Sequence, residues 1–200
     1  MVGEQRVSVP LPELVGRVAV LGGTARDQTA FFVGLALRQV RQQGTVVCLD
    51  ARRQQQTEVQ FRLLLRGRAS YVPLPDAGIV PDEIAQTVLS TVSRALNVKT
   101  VQPPLLLLDN VLETPGWEQT LTFLLNTGVT VVELLPSPTA LVFGRYDTVL
   151  LLRAEMQEAV AFSRAVGRKV SEMEVTDLRA GEGVLIHLAR VHWVALPEVL

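Results

Sequence analysis

Residues 22 to 29 read Gly-Gly-Thr-Ala-Arg-Asp-Gln-Thr and lie where a phosphate-binding loop would. In such a loop the pattern is G-x-x-x-x-G-K-[ST]: backbone N–H groups wrap the phosphates, the lysine neutralises them and the hydroxyl holds magnesium. Gly22 and Thr29 match this pattern, whereas Asp27 replaces the second glycine and Gln28 replaces the lysine. A carboxylate and a neutral amide both oppose the binding of a triphosphate.

Weak anion binding remains possible at this position, because a helix that begins near Gln28 offers free N–H groups and a favourable dipole. Arg26 is a substitute for the missing lysine in this interpretation. Against it, an acidic residue near a helix start is a common cap, so a simple tight turn capped by Asp27 is the alternative. If ATP and magnesium do bind, the residues expected to hold the nucleotide are Gly22, Gly23, Thr24, Arg26, Gln28, Thr29 and Asp109, with Thr29 and Asp109 on the metal.

Asp109 is the second candidate for chemistry, because it follows the wholly apolar run Leu105 to Leu108. Open α/β sheets place their ligands at the carboxyl ends of the strands. In P-loop enzymes an aspartate there assists magnesium, and a neighbouring residue orients the attacking water. Here the neighbour is Asn110, and an amide cannot act as a general base near neutral pH. No catalytic residue is therefore assigned with this pattern, which leaves Asp109 and Asn110 as candidates.

The elements that must position these residues are short β-rich runs alternating with helical patterns. That alternation predicts a parallel sheet with crossover helices, in a three-layer α/β fold. The expected strands are Arg17 to Leu21, Thr45 to Leu49, Ala69 to Val72, Leu105 to Leu108, Val129 to Val132 and Thr148 to Leu152. Helices are expected after Gln28 up to Gly44, over Gln54 to Leu65, from Pro81 to Leu96, over Trp117 to Leu125, and over Glu155 to Ala165.

The chain is predicted to be a single domain over residues 1 to 200. Residues 1 to 16 form a lead-in, and residues 181 to 196 form a terminal β-hairpin because their apolar positions alternate. Between them we find no internal repeat, linker or low-complexity tract.

This series of elements resembles the FtsK/HerA branch of RecA-like P-loop ATPases, which includes conjugative coupling proteins and viral DNA-packaging ATPases. The likeness covers nearly the whole chain in order. It rests on residues 18 to 22 before the loop, Val46 to Asp50 followed by a basic pair, Leu105 to Asn110, the block from Tyr146 to Gly167, and the turn from Leu178 to Gly183. The resemblance implies a RecA-like fold, a ring of subunits and DNA as a partner.

The departures from the family pattern are concentrated at the nucleotide site. The family's lysine, second loop glycine and catalytic glutamate are absent, and Glu133 stands nearest the place of a polar sensor residue. This combination indicates degenerate Walker A and B motifs on a retained scaffold. The resemblance also makes Arg145, Arg153, Arg164 and Arg168 candidates for an arginine finger that reaches a neighbouring subunit.

Composition narrows the setting without identifying a partner. The formal net charge is -1, so no bulk attraction to nucleic acid follows, although arginines are concentrated between Arg52 and Arg68. The single cysteine, Cys48, excludes a disulfide framework. We expect no membrane span and a cytoplasmic protein. His187 and His192 lack further ligands for a metal, and Trp117 and Trp193 are expected to be packing residues.

Three functions remain open from the sequence. The first is a catalytically degenerate member of this ATPase group that serves as a binding or assembly subunit in DNA transfer, packaging or translocation, with other protein subunits as partners. The second is an active, divergent motor that uses Arg26 or a neighbouring subunit in place of the lysine. The third is a protein-interaction domain with no ligand at the loop.

Overall fold

The strands of the computed structural model form one mixed sheet, whose order is β1-β9-β8-β7-β2-β6-β5-β3-β4. The structure describes residues 9–53, 59, 61, 69–74, 79–97, 102–112, 114–137, 140–142, 144–167, 169–187 and 190–197. The strands are β1 (Val9–Pro10), β2 (Arg17–Leu21), β3 (Val46–Asp50), β4 (Ala69–Pro73), β5 (Leu105–Asp109), β6 (Thr130–Leu134), β7 (Thr148–Leu152), β8 (Glu182–His187) and β9 (Arg190–Ala195).

The central strands of this sheet, from β7 to β4 in the spatial order, are all parallel. Five of them, β2, β3, β5, β6 and β7, are buried at every position. Such runs belong to sheets covered on both faces, which explains why they are apolar without alternation. The predicted three-layer α/β architecture is confirmed, and so is the terminal hairpin, in which β8 pairs antiparallel with both β7 and β9.

Helices cover both faces of the sheet. They are α1 (Ala25–Arg41), α2 (Asp82–Asn97), α3 (Pro115–Asn126), α4 (Met156–Ala165) and α5 (Glu172–Thr176). Phe31, Phe32 and Leu35 of α1 pack on one face with residues of β3, β5 and β7. On the other face, α2 and α3 cover β3, β5 and β6, while α4 and α5 cover β2, β7 and β8.

Two details differ from the sequence prediction, and both arise from local hydrogen bonding. Helix α1 begins at Ala25 rather than near Gln28, because Thr24 and Asp27 cap it three residues earlier. In the lead-in, Val9 and Pro10 pair with β9 as a short parallel strand. The helix predicted over Gln54 to Leu65 lies outside the described residues except at positions 59 and 61, which are helical. Of the helices in the described ranges, none combines the length and the apolar character that a membrane span requires.

Candidate functional site

The turn between β2 and α1 consists of Gly22, Gly23 and Thr24, and it leads directly into a capped helix. The Thr24 hydroxyl accepts the Asp27 N–H at 3.2 Å, while the Thr24 N–H donates to the Asp27 carboxylate at 2.9 Å. The same carboxylate accepts the Thr24 hydroxyl proton at 2.7 Å. This is a reciprocal capping box, in which protein side chains accept hydrogen bonds from N–H groups that could otherwise donate to a phosphate. Asp27 therefore caps the helix.

Both glycines of the turn have positive φ angles, 78° at Gly22 and 79° at Gly23. The Gly23 N–H donates to the Arg153 carbonyl at 2.7 Å, which ties the turn to the end of β7. A Cβ atom on Gly22 would lie 2.8 Å from the Leu152 carbonyl oxygen. Glycine is required here by conformation and by the close approach of the β7 backbone.

We expect Gly22→Ala to destabilise the protein by about 2 kcal/mol, because alanine combines the strain of a positive φ with a steric contact to the Leu152 carbonyl. Urea unfolding followed by circular dichroism measures the change. Gly128→Ala is the matched control, since Gly128 has a φ of 88° but open space around its Cβ position. A cost for Gly22→Ala no larger than that for Gly128→Ala would contradict the packing argument.

The side chain of Arg52 lies across the site and joins α1 to β5. Its Nε donates to one Asp109 oxygen at 2.5 Å and one terminal nitrogen donates to the other oxygen at 2.9 Å. The second terminal nitrogen donates to the Gln28 side-chain oxygen at 2.6 Å. Gln28 also donates its amide proton to the Gly22 carbonyl at 2.8 Å. We call the set Gln28, Arg52 and Asp109 the Arg52 bridge.

Arg52 reaches this position because of the order of the strands. It follows β3, and β3 lies beside β5 with Asp50 in register with Asp109. Asp109 lies two residues after Leu107, which packs with α1, so alternation places its carboxylate on the α1 face. The sequence predicted Asp109 and Gln28 at one site and missed Arg52. The available signal was the basic pair directly after a strand that ends at the same sheet edge.

The electrostatics of the bridge are those of a buried ion pair with a second carboxylate nearby. Asp109 is 2% exposed and Asp50 is fully buried. Burial raises the pKa of the Asp109 carboxyl above its ordinary value, the hydrogen bonds and charge of Arg52 lower it, and the Asp50 carboxylate raises it. The guanidinium is thus the positive charge that stabilises the ionised Asp109.

The residue after Asp109 adopts a left-handed backbone conformation, with φ of 54° at Asn110. Asparagine tolerates this region better than other non-glycine residues. Its N–H donates to the Leu134 carbonyl at 3.3 Å, which connects the end of β5 to the end of β6. Asn110 thus has a structural role at the position where the family's catalytic glutamate is expected.

Glu133 lies on the opposite face of the sheet from Asp109. It is two residues after Val131, which packs with α3, and it forms an ion pair with Arg17 at 2.6 Å. The Tyr146 hydroxyl donates to the same carboxylate at 3.1 Å, and the Arg17 guanidinium lies 5.0 Å from the centre of the Tyr146 ring. The structure therefore does not bring Glu133 together with the other candidates.

The remaining candidates are dispersed. Arg26 is exposed on the first turn of α1, and Arg153 is exposed beside the glycine turn. Arg145 pairs with Glu118 at 3.5 Å on the surface, Arg164 is in the last turn of α4, and Arg168 lies outside the described residues.

The two histidines and two tryptophans lie outside the turn. His187 Nδ1 is 2.8 Å from the Thr148 hydroxyl, whereas His192 is exposed. Within the described ranges no group of three or more His, Cys, Asp or Glu side chains is placed to hold a metal. Trp117 is buried and Trp193 is half-buried, as packing residues would be.

In this arrangement the turn residues do not fit a magnesium triphosphate. The Asp27 carboxylate occupies the helix N-terminus, Gln28 supplies no positive charge, and Asp109 is bound on both oxygens by Arg52. Thr29, the other candidate metal ligand, is buried in the first half of α1. A polyanion binds free N–H donors and its metal binds unengaged oxygen ligands, whereas here protein groups take the N–H groups of Thr24 and Asp27 and both oxygens of Asp109.

Comparisons with known proteins identify solved structures that share the fold of this chain. No protein-family model matches the sequence, and no curated protein sequence matches it significantly. Among solved structures, B204, the DNA-packaging ATPase from Sulfolobus Turreted Icosahedral Virus, is similar with a TM-score of 0.62 and 11% identity, over 88% of this chain and 96% of that chain. The genome-packaging NTPase B204 from Sulfolobus turreted icosahedral virus 2, in complex with AMPPCP, is similar with a TM-score of 0.62 and 10% identity, over 92% and 98% of the two chains.

VirB4 of Thermoanaerobacter pseudethanolicus is also similar, with a TM-score of 0.59 and 9% identity, over 92% of this chain and 90% of that chain. Each likeness covers almost the full length of both chains, so the shared feature is the whole arrangement of strands and helices. The resemblance found in the sequence is confirmed at the level of the fold: this chain has the RecA-like P-loop NTPase fold that these packaging ATPases and VirB4 share.

Proposed function

We propose that this chain is a catalytically inactive relative of the FtsK/HerA-type ATPases and serves as a binding or assembly subunit in a DNA-handling system. The observation that carries the proposal is the Arg52 bridge together with the capping box at Asp27. In these contacts the Asp27 carboxylate accepts the Thr24 N–H at the start of α1. Arg52 donates to Gln28, which replaces the lysine, and to Asp109 after β5. The role in DNA handling is supported by the packaging ATPases that share the fold.

The capping box also favours the narrower alternative of a protein-interaction domain with no ligand at the turn. Its carboxylate stabilises the start of α1 without any partner, and α1 supplies much of the core on its face of the sheet. The two proposals differ in whether nucleic acid is a partner. Fluorescence anisotropy with labelled duplex DNA separates them, because only the DNA-handling subunit is expected to show salt-dependent binding.

The test of the main proposal is a calorimetric titration of the full chain with ATP and magnesium, with and without duplex DNA. We expect no binding by the wild-type protein up to millimolar ATP, because the Asp27 carboxylate repels phosphate and the Arg52 guanidinium is already paired with Asp109. The informative variant is Asp27→Gly with Gln28→Lys, which recreates the complete G-x-x-x-x-G-K-T pattern. That variant is expected to gain measurable ATP affinity.

The outcome that contradicts the proposal is a wild-type protein that hydrolyses ATP at a rate abolished by Asp109→Ala. Such a result would support the active, divergent motor. Gln28→Lys alone is the matched control for the double variant, because it restores the positive charge while leaving the Asp27 capping box in place. Equal ATP affinity in the single and double variants would show that the capping carboxylate is not an obstacle.

A further inference from the structure

Two hydrogen bonds to Asp50 connect strand β4 to the turn that carries Arg52. The Tyr71 hydroxyl of β4 donates to one oxygen of Asp50 at 2.7 Å. The other oxygen of Asp50 accepts the backbone N–H of Arg53 at 2.8 Å. Asp50 therefore joins a side chain of β4 to the turn that carries Arg52.

The turn after β3 is held on both sides. The Ala51 N–H donates to the Asp109 carbonyl at 3.0 Å, and the Leu74 N–H donates to the Asp50 carbonyl at 2.9 Å. Arg53 adopts a φ of 50°, and its Nε donates to the Leu74 carbonyl at 2.8 Å. The two consecutive arginines consequently diverge, Arg53 toward the end of β4 and Arg52 toward Asp109.

The bond from Arg53 N–H to Asp50 is one of the contacts that stabilise this left-handed turn, since a non-glycine residue at positive φ persists only where its surroundings enforce it. Asp50 is fully buried, so its carboxylate needs its hydrogen-bond donors. Tyr71 provides one of them from the last strand of the described sheet order. Losing that donor weakens the anchor on which the direction of Arg52 depends.

We propose that Asp50 and Tyr71 are positioning residues that hold Arg52 across the site, so that strand β4 controls whether the Arg52 bridge stays closed. The inference rests on the proposed function, in which Arg52 engages Gln28 at the position of the lysine and Asp109 at the position of the metal ligand. It goes beyond it by assigning to Asp50 and Tyr71, which lie outside the Arg52 bridge, a role in holding Arg52 on Asp109.

The experiment measures hydrogen exchange of the Arg52 Nε–H by NMR on the full ¹⁵N-labelled chain. The signal is assigned by its absence in Arg52→Met. In the wild type this proton should exchange more slowly than the Nε–H of the exposed Arg26. In Tyr71→Phe we expect exchange about ten-fold faster, because a hydrogen bond to a carboxylate contributes at least that factor.

Tyr146→Phe is the matched control, since it removes the other tyrosine hydroxyl that donates to a carboxylate, on the opposite face of the sheet. It should leave Arg52 exchange unchanged. Phenylalanine at position 71 keeps the ring contact with Phe61, whose centroid is 6.0 Å away, so the variant should remain folded.

Unchanged Arg52 exchange in Tyr71→Phe overturns the inference. So does a wild-type Arg52 that exchanges as fast as Arg26, and this second measurement requires no variant at position 71. ATP binding by the wild-type protein would reject the proposed function while leaving the exchange result intact, so the two failures are distinguishable.

Discussion

Arg17→Met is expected to lower the free energy of unfolding by about 3 to 5 kcal/mol, because it leaves the Glu133 carboxylate buried without its cation. The side chains of Arg17 and Glu133 are each only 8% exposed, so solvent cannot replace the guanidinium. Two hydrogen bonds, at 2.6 and 3.2 Å, are lost together with the contact to Tyr146. Urea denaturation monitored by circular dichroism measures the loss.

The control for this prediction is the double variant Arg17→Met with Glu133→Leu. Replacing both members of a buried ion pair by apolar residues is often nearly neutral, so the double variant should recover most of the lost stability. Arg145→Met breaks the surface pair with Glu118 and should cost less than about 1 kcal/mol. If the double variant is as unstable as Arg17→Met alone, an unpaired carboxylate is not the cause.

Arg52→Met is expected to destabilise the protein by about 2 to 3 kcal/mol at pH 7, somewhat less than a fully buried pair because the Arg52 side chain is 30% exposed. The cost should depend on pH. Burial and Asp50 already raise the pKa of Asp109, and Arg52 is the group that lowers it, so its removal raises that pKa further. A raised folded-state pKa contributes stability at low pH that is lost as pH rises through it. The variant should therefore approach the wild type on acidification and differ most at neutral pH.

The measurement is urea unfolding of wild type and Arg52→Met at several pH values between about 4 and 8, a range that extends upward from the ordinary aspartate pKa, in the direction in which the pKa of Asp109 is raised. Arg53→Met is the matched control, since Arg53 donates its side-chain proton to the Leu74 carbonyl rather than to a carboxylate. Its effect should be small and independent of pH. A constant cost of Arg52→Met across the range would show that Asp109 does not depend on Arg52 for its charge.

The two experiments test one ion pair on each face of the sheet. The Arg17 and Glu133 pair lies on the face covered by α3, and the Arg52 bridge lies on the face covered by α1. Glu133 was a candidate polar sensor because it is the polar residue nearest the place where the family resemblance puts that sensor. In the structure its carboxylate stabilises Arg17, which gives it a role in folding.

Much of the fold could be predicted from the sequence, because a strand that is buried on both faces is apolar along nearly its whole length. The runs from Leu105 to Leu108 and from Thr148 to Leu152 are apolar at nearly every position, and the steps of four from Ile84 to Leu96 make one buried stripe. The replacements at Asp27 and Gln28 could also be recognised from the sequence, because the loop motif is contiguous in the chain.

Only the tertiary structure decided what those replacements do. Arg52 is 24 residues from Gln28 and 57 from Asp109 along the chain, and it meets both because β3 lies beside β5 in the sheet. Strand order depends on contacts between distant segments, which no local pattern encodes. The start of α1 at Ala25 was likewise a matter of geometry: the same Asp27 reads as a lost glycine in the motif and acts as a capping carboxylate once the helix forms.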